Sequence, residues 1–420
     1  SDGDFLTYML GWRLTEEPFV RSLVGDNVLN DLKLRASYGE LGNQNTGTLH
    51  NQSTFYGPND LNANYDLAAT NNSVQQGFVV LTRGNPFLRW EATKSYNVGA
   101  DIRLFNRSID FSFDLYRKVT TDLISNPPLA LAVGEGTAPY VNSAQVTNTG
   151  FDLNLTHYMN KGSLKVTNSL QVSHYKSMVD DLDDRYPIGY EGERYFDNGG
   201  RIAEGREMRE FYGWVAEGIF QSTAEVEAHA DQTGKAVGRI RYADINGDSI
   251  INDEDRTYIG SPHPDVTLGW NSQLKYKNFT LDMFFYSSIG QDVFNGLRVT
   301  SEFAQIGTYN RTRAILDAWS PENTTATVPM LTLDDRGNDE SRASSYFVED
   351  GTFLKMRTLR LGYEFNPDIL NGFKVNLYGE VQNAFTITNY SGIDPEVPGG
   401  FDGGVYPLPR TFILGLNLKL

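Results

Sequence analysis

The C-terminal segment 410–420, RTFILGLNLKL, carries an apolar side chain at every second position. The apolar positions are Phe412, Leu414, Leu416, Leu418 and Leu420. The positions between them are mostly small or polar: Ile413, Gly415, Asn417 and Lys419. A period of two over this length predicts a β-strand with one apolar face and one mostly polar face. Strands of this kind, repeated along a chain, are typical of a barrel in a lipid bilayer, with lipid outside and water inside.

The same alternation recurs along the whole chain. It covers residues 8–14, 32–38, 96–104, 109–115, 151–155, 164–172, 268–270, 279–285, 359–365 and 373–377. With the C-terminal segment, these give roughly eleven strands. This regular coverage excludes a mainly helical protein and predicts an all-β, antiparallel chain.

The lengths of the connections alternate as well. Short turns rich in turn-forming residues are predicted at Phe105-Asn106-Arg107, Asn160-Lys161-Gly162, Lys277-Asn278 and Asn366-Pro367-Asp368. Long connections lie between them, at residues 39–90, 124–148, 177–265 and 290–352. Short turns at one end and long loops at the other indicate an outer-membrane barrel. From the pattern alone, a soluble β-sandwich is the alternative.

The composition narrows the possible functions. The chain has 420 residues, a net charge of −17, a pI near 4.8 and no cysteine. Nucleic-acid binding is disfavoured because a phosphate partner requires a basic surface. The acidic side chains are concentrated in segments that we interpret as solvated loops, at residues 180–184, 244–255 and 334–340.

One acidic segment has the spacing of a metal-binding loop. Residues 244–255, DINGDSIINDED, match the calcium loop of the EF-hand. The predicted ligands are the side chains of Asp244, Asn246, Asp248, Asn252 and Asp255 and the backbone carbonyl of Ile250. Ser249 replaces the expected glycine, and Asp255 replaces the expected glutamate. We expect a divalent cation, Ca²⁺ or alternatively Mg²⁺, that stiffens a long loop; the other interpretation is an acidic turn without metal.

No catalytic motif of a hydrolase, metalloprotease, nucleotide-binding or dinucleotide-binding enzyme is found in the sequence, and we predict that the chain is not an enzyme. Three tryptophans in predicted loops, Trp90, Trp214 and Trp319, have two interpretations. They could stack on sugars or peptides, or they could form the cores of the loops or belts at the membrane interface.

Several motifs resemble one family, in order along the chain. They are LKLRASYG at 32–39 followed by GNQ at 42–44, WEAT at 90–93, YNVG at 96–99, DLYRK at 114–118, NTGFD at 148–152, WSPE at 319–322, QNAFTITNY at 382–390 and GIDPE at 392–396. Together they resemble the SusC-like (SusC/RagA) TonB-dependent transporters of Bacteroidota outer membranes. The final residue, Leu420, departs from the aromatic residue usual in that family.

The resemblance implies an antiparallel transmembrane β-barrel of about 22 strands with long extracellular loops and short periplasmic turns. Residues 1–420 are expected to be its C-terminal part, without the plug domain or the TonB box. The implied function is TonB-dependent active import of oligosaccharides or peptides across the outer membrane of a Gram-negative bacterium. The implied partners are a SusD-like surface lipoprotein, the TonB complex through the N-terminal part of the receptor, and outer-membrane lipid.

Two alternative functions are also compatible with the sequence. One is a secreted or surface β-rich protein that binds glycans or acts as an adhesin, with a structural calcium loop. The other is a passive porin, which would lack a plug. The face of the strands that meets water discriminates between barrel and sandwich: in a membrane barrel the apolar rows point outward, whereas in a sandwich they pack against a second layer.

Overall fold

The computed structural model describes residues 5–23, 25, 27–43, 55–58, 77–125, 139–182, 200–303, 310–333, 340–365 and 374–419. Its main feature is an 11-stranded antiparallel sheet in which each strand pairs with the next one along the chain. The strands are β1 Thr7–Arg13, β2 Leu29–Asn43, β3 Glu91–Leu104, β4 Ile109–Ser125, β5 Val141–Lys161, β6 Leu164–Leu182, β7 Val266–Tyr276, β8 Phe279–Ile289, β9 Phe353–Phe365, β10 Lys374–Thr388 and β11 Thr411–Lys419. The predicted number and order of strands are confirmed.

The described parts of the connections contain short elements. Their strands are Phe55–Pro58, Phe78–Thr82, Gly200–Arg201, Glu210–Gly213, Ala216–Ile219, Ile240–Tyr242, Thr257–Gly260, Asp292–Asn295, Val348–Asp350 and Phe401–Asp402. The α-helices are Pro18–Leu23, Thr223–Ala228 and Gly296–Glu302, and the 3₁₀-helices are Leu14–Glu16, Asp253–Asp255, Arg313–Asp317, Ser345–Phe347 and Pro398–Gly400. Within the described ranges, no helix is long and apolar enough to cross a membrane.

Tight turns join the strands at one end of the sheet. Left-handed backbone closes them, with φ of 55° at Phe105, 55° at Asn106, 63° at Arg107, 60° at Gly162 and 52° at Lys277. Asparagine and glycine tolerate this conformation, which explains why segments that contain these residues were correctly predicted to be turns. Three of the four predicted turns are confirmed; Asn366-Pro367-Asp368 lies outside the described residues.

The strands extend further toward the long loops than the alternation predicts. β2 continues to Asn43, β4 to Ser125 and β6 to Leu182, and β5 already begins at Val141. In these extensions the β4–β5 pairing shifts register after Thr120, because bulges interrupt the ladder. Beyond the bilayer the backbone still pairs, but the side chains no longer need to alternate. At the first strand the prediction was too long, since residue 14 begins a 3₁₀-helix.

The interpretation of the acidic segment 180–184 as a loop was wrong for the first residues of the segment. Asp180 lies in β6, where its carboxylate accepts hydrogen bonds from the Thr147 hydroxyl and from Nε2 of Gln145, at 3.0 Å for the latter. Two donors on the neighbouring strand β5 therefore satisfy the charge within the sheet.

The register of the sheet separates an apolar face from a polar face. One apolar row crosses β5 to β11 through Met159, Val166, Leu274, Leu281, Leu361 and Leu414. The adjacent row on the other face contains Thr167, Gln273, Asp282, Arg360 and Glu380. Because neighbouring residues of a strand point to opposite faces, pairing in this register places all apolar members on one side.

The apolar face points outward. On β11, Phe412 is 74% exposed and Leu414 is 89% exposed. The cavities of the sheet are lined mainly by residues of the polar rows, so the polar face is the concave one. Within the described residues, the buried apolar clusters lie around the long connections and not over these rows. The prediction that the apolar rows point outward is confirmed for the described residues, and the sandwich alternative is wrong because no second protein layer covers these rows there.

A charge on the apolar face is expected to prevent membrane assembly. Leu416 is 57% exposed on β11, and we expect Leu416→Arg to cost about 2–4 kcal/mol if the residue lies near the bilayer centre. The same change at Phe113 is expected to act in the same direction. The measurement is the fraction of the intact receptor recovered folded in the outer membrane.

The matched control is Asn417→Arg, which places the same charge on the opposite face of the same strand. Assembly is expected to persist in this control. Equal loss of assembly in both variants would contradict the assignment of the two faces.

Candidate functional site

The polar face of the sheet, here called the polar wall, contains a pocket of about 600 Å³ between β6 and β10. Hydroxyl and amide side chains contribute most of its polar groups, together with a few charged residues: Thr167, Ser169, Asn271, Gln273, Asp282, Thr358, Arg360 and Glu380. Nε2 of Gln273 donates to Oδ1 of Asp282 at 2.6 Å. Met283 and Phe284 complete the lining, so the pocket offers donors and acceptors to a hydrated ligand together with apolar surface.

Ion pairs replace the amides on the β2–β4 side of the polar wall. Arg35 contacts Asp101 and Asp114, each at 2.9 Å. Gly99 lies beneath this pair, where a Cβ would come within 2.4 Å of Oδ1 of Asp114. Glycine at this position therefore leaves room for the carboxylate to reach across the strands.

Three connections at the other end of the sheet pack together in the residues that the structure describes. We call the described residues of segments 200–265, 290–352 and 389–410 the loop cap. Eight buried side chains form its core: Phe211, Ile240, Tyr242, Ile251, Phe294, Val299, Phe303 and Phe347. The first four belong to segment 200–265 and the others to segment 290–352. Each buried aromatic or aliphatic side chain contributes about 1.5–3 kcal/mol, so the two connections stabilise each other.

The third connection joins this core through a strand. Asp292–Asn295 pairs antiparallel with Val348–Asp350 and parallel with Phe401–Asp402. Phe401 stacks on Phe294, with ring centroids 5.4 Å apart. The connection between β10 and β11 is thereby held to the connection between β8 and β9.

Charged groups are also buried in the loop cap. Arg239 contacts Glu340 at 3.1 Å, and both side chains are almost fully buried. Arg298 forms a second pair with Glu302 at 2.8 Å, and the hydroxyl of Tyr346 donates to Glu302 at 2.6 Å. Burial raises the pKa of Tyr346 far above its ordinary value, so the phenol stays a donor at any physiological pH.

A lysine fastens the loop cap to the sheet. Lys355 of β9 is only 1% exposed, and its Nζ contacts Asp394 and Glu396, each at 2.9 Å. Arg357 pairs with the other oxygen of Glu396. We call these four side chains the ionic anchor. Removing one partner from a buried cluster of an ammonium and two carboxylates lowers the stability of the fold, because a charge is left buried without a counter-charge.

The ionic anchor was not predicted from the sequence. The sequence nevertheless contained an indication of it. Lys355 and Arg357 occupy alternate positions at the start of β9, and cations that are buried there need anionic partners. Residues 392–396, GIDPE, were noted only as a family motif. Their carboxylates are the partners of these cations.

The predicted metal loop is a tight turn around acidic side chains. Asp244 accepts hydrogen bonds from the backbone N–H of Gly247 at 2.7 Å and of Ser249 at 2.9 Å. Ser249 has φ of 66°, the left-handed conformation for which glycine was expected at this position. The backbone thus adopts the predicted path although the residue differs.

The last predicted ligand is engaged within the turn. Asp255 is fully buried, and its oxygens accept N–H groups of Ile245 at 2.9 Å and Asn252 at 2.8 Å. Within the described part of the chain, no three His, Cys, Asp or Glu side chains are grouped to hold a metal. The six predicted ligands are all oxygen donors, the chemistry that Ca²⁺ and Mg²⁺ prefer. The cation therefore stays a prediction.

The three tryptophans differ in their surroundings. Trp319 is buried and donates Nε1 to Gln221 at 2.8 Å, as expected of a loop-core residue. Trp90 stacks on Phe5, with centroids 6.5 Å apart. Trp214 is half-buried, and guanidinium groups lie near its ring.

An antiparallel sheet with an outward apolar face, a concave polar wall and folded long loops defines a β-barrel of the outer-membrane receptor class. A family model described as "TonB dependent receptor-like, beta-barrel" matches residues 2–383. The chain belongs to this family, whose barrels lie in the outer membrane of Gram-negative bacteria.

Curated relatives and a solved structure are similar to the chain. TonB-dependent receptor P3 of Formosa agariphila is 30% identical over 98% of this chain and 41% of its own length. TonB-dependent receptor SusC of Bacteroides thetaiotaomicron is 27% identical over 99% of this chain and 40% of its own length. The structure of the RagAB peptide transporter superposes with a TM-score of 0.79 at 24% identity, covering 99% of this chain and 43% of that chain. The chain thus spans about two fifths of these relatives.

The ionic anchor is expected to control the exposure of segment 389–410. Lys355→Met leaves Asp394 without its cation and Glu396 with Arg357 alone. Because both carboxylates are partly exposed, we expect a cost below the roughly 3–5 kcal/mol of a fully buried pair. We expect faster cleavage of this segment in the intact receptor by protease added to whole cells. Lys374→Met, at an exposed lysine of β10, is the control; equal cleavage rates in the two variants would refute the anchor.

Calcium is expected to stabilise the loop cap if the loop 244–255 binds it. At a concentration 100-fold above the dissociation constant, binding adds about 2.7 kcal/mol to the free energy of unfolding of the binding unit. We expect calcium to raise the melting temperature of the intact receptor and a chelator to reverse this. The double variant Asp244→Asn, Asp248→Asn should lose the response, whereas Glu322→Gln, an exposed acid elsewhere in the loop cap, should keep it. A response that survives in the double variant would place the cation elsewhere.

Proposed function

We propose that this chain is part of a TonB-dependent importer of oligosaccharides or peptides. The observation that carries the proposal is the sheet itself, apolar on its outward face and polar on its concave face. Such a wall separates lipid from an aqueous path, and the loop cap lies at the end of the sheet with the long connections. The similarity to TonB-dependent receptors supports active import over a passive pore.

We propose that residues 1–420 form the C-terminal portion of the barrel. The relatives are more than twice as long as the part this chain covers, which supports a receptor whose plug and TonB box come from the remaining sequence. Displacement of the plug by TonB, driven by the proton gradient of the inner membrane, would then open the path along the polar wall.

The proposed partner is a SusD-like surface lipoprotein that covers the loop cap and captures cargo. The similarity to SusC and to the RagAB transporter supports this partner. The buried core and the ionic anchor support it physically, because a rigid loop surface loses less conformational entropy when a partner docks. The chain supplies the wall and the docking surface and, in this proposal, performs no catalysis.

Import can be tested on cells that carry the intact receptor. We expect deletion of the receptor gene to reduce uptake of labelled oligosaccharides or peptides that wild-type cells accumulate, and an uncoupler of the proton gradient to have the same effect. Uptake that resists the uncoupler but needs the receptor would indicate a passive pore. Unchanged uptake after deletion, for every cargo that the cells accumulate, would refute import by this receptor.

A further inference from the structure

The outward face of the sheet carries a cation directly beyond its apolar residues. β4 places Phe113, Leu115 and Arg117 on this face, because its pairing with both neighbouring strands is regular over residues 109–120. Leu115 is 51% exposed, and Arg117 follows it on the same side as an exposed residue. A guanidinium group therefore lies on the side of the sheet that meets lipid.

Two lysines on other strands lie near Arg117 on the same face. Lys94 of β3 pairs with Val119, so it is a diagonal neighbour of Arg117 at about 7–8 Å, within reach of long side chains. Lys176 of β6 shares the row of Arg117 through Thr149 of β5, and two strand spacings separate these cations by about 10 Å. We call Lys94, Arg117 and Lys176 the outer cation patch.

The outer cation patch lies at the height where hydrocarbon gives way to lipid headgroups. Lys94, Arg117 and Lys176 are ten, eight and twelve residues from the turn ends of β3, β4 and β6. At about 3.4 Å per residue and a strand tilt of about 40°, they rise about 26, 21 and 31 Å from that end. The apolar band of an outer-membrane barrel is about 25 Å tall, so the three cations lie around its border on the side of the long loops.

Tyrosines continue the row of Arg117 on the other side. Tyr96 pairs with Arg117, Tyr38 pairs with Tyr96, and Tyr8 pairs with Tyr38. The ring centroids of Tyr38 and Tyr96 lie 5.1 Å apart, and those of Tyr8 and Tyr38 lie 6.5 Å apart. Tyrosine is enriched where hydrocarbon meets headgroups, because its ring is apolar and its hydroxyl is polar. These rings support the placement of the patch at a membrane surface independently of the strand lengths.

The side chains of the patch retain free donors. In the part of the chain that the structure describes, no ion pair or hydrogen bond joins the exposed Arg117 side chain to another residue. Lys94 lies 3.9 Å from Glu40 and Lys176 lies 4.0 Å from Glu207, and the two lysine side chains are 49% and 53% exposed. Ion pairs of this length at exposed positions contribute little. All three cations are therefore accessible to an external anion.

We propose that the outer cation patch binds the phosphate group of a lipid in the outer leaflet. Arg117 offers a planar fork of N–H donors that matches two oxygens of one phosphate, and Lys94 adds a point charge beside it. The acyl chains of the same lipid pack on Val98 and Leu115, a cross-strand pair one step deeper in which the residues are 62% and 51% exposed. A lipid covers both parts of this surface, whereas a free phosphate ion leaves the apolar part bare.

The patch is confined to one side of the described sheet. On β8, β9 and β10 the outward residues nearest to the long connections are apolar, namely Ile289, Leu354 and Ile387. These three side chains are 38%, 39% and 61% exposed. Cations on every strand would fit any anionic surface, whereas a patch on β3 to β6 selects one position on the barrel. We therefore expect one phosphorylated lipid to be bound there.

The intact receptor, purified in detergent and freed of lipid, can be tested by native mass spectrometry, which counts bound molecules. The probes are lipid A, a phosphorylated lipid of outer leaflets, the same lipid after removal of its phosphates, and inorganic phosphate. We expect the wild type to bind lipid A at least tenfold more tightly than the dephosphorylated lipid. The double variant Lys94→Gln, Arg117→Gln is expected to bind one lipid A fewer, because its affinity at this site falls by about tenfold or more. Binding of the dephosphorylated lipid should not change.

The matched control is Lys118→Gln, because this exposed lysine is next to Arg117 on β4 and points to the opposite face. It should bind as many lipid A molecules as the wild type. Arg117→Lys keeps the charge without the planar fork, and it should bind lipid A with intermediate affinity. Recovery of each variant folded in the outer membrane shows that the barrel is intact.

Several results would overturn the inference: no preference of the wild type for lipid A over the dephosphorylated lipid, the full number of bound lipid A molecules in the double glutamine variant, or an equal loss in Lys118→Gln. Inorganic phosphate distinguishes the remaining source of the same chemistry. If it displaces lipid A from the wild type at equal concentration, the patch is a site for a free anion and the lipid assignment is wrong.

Discussion

Backbone N–H and C=O groups cannot remain unpaired in hydrocarbon, since each would cost several kcal/mol. Every other property of the sheet depends on this constraint. Hydrogen bonds must run from strand to strand around the barrel, and the side chains of each strand must then alternate between lipid and lumen. Gly379 shows how strict the register is, because it occupies an apolar row between Leu361 and Leu414 without interrupting the pairing.

Outside the bilayer, water could form hydrogen bonds with the backbone of the loops, and the loops would need no fixed structure. The loop cap is nevertheless folded, because its connections share one aromatic core and several buried charges. Buried ion pairs add little net stability, but they tolerate few alternative partners. Lys355 illustrates this, since among the described residues the carboxylates that lie close enough to neutralise it are the two of segment 392–396. We infer that the charges fix which loop packs where, whereas the aromatic core provides most of the stabilisation.

Sequence alone predicted the sheet well and the loop cap poorly, for a physical reason. In strands such as β7 and β8 the environment has a period of two, and the residues repeat with it. In the loop cap, contacts join residues that are far apart in the chain, such as Arg239 and Glu340. No local periodicity of the sequence predicts such contacts. Residues 244–255 were predicted in part. Ser249 adopts the left-handed backbone of the motif, but acidic side chains accept hydrogen bonds from N–H groups of the turn itself.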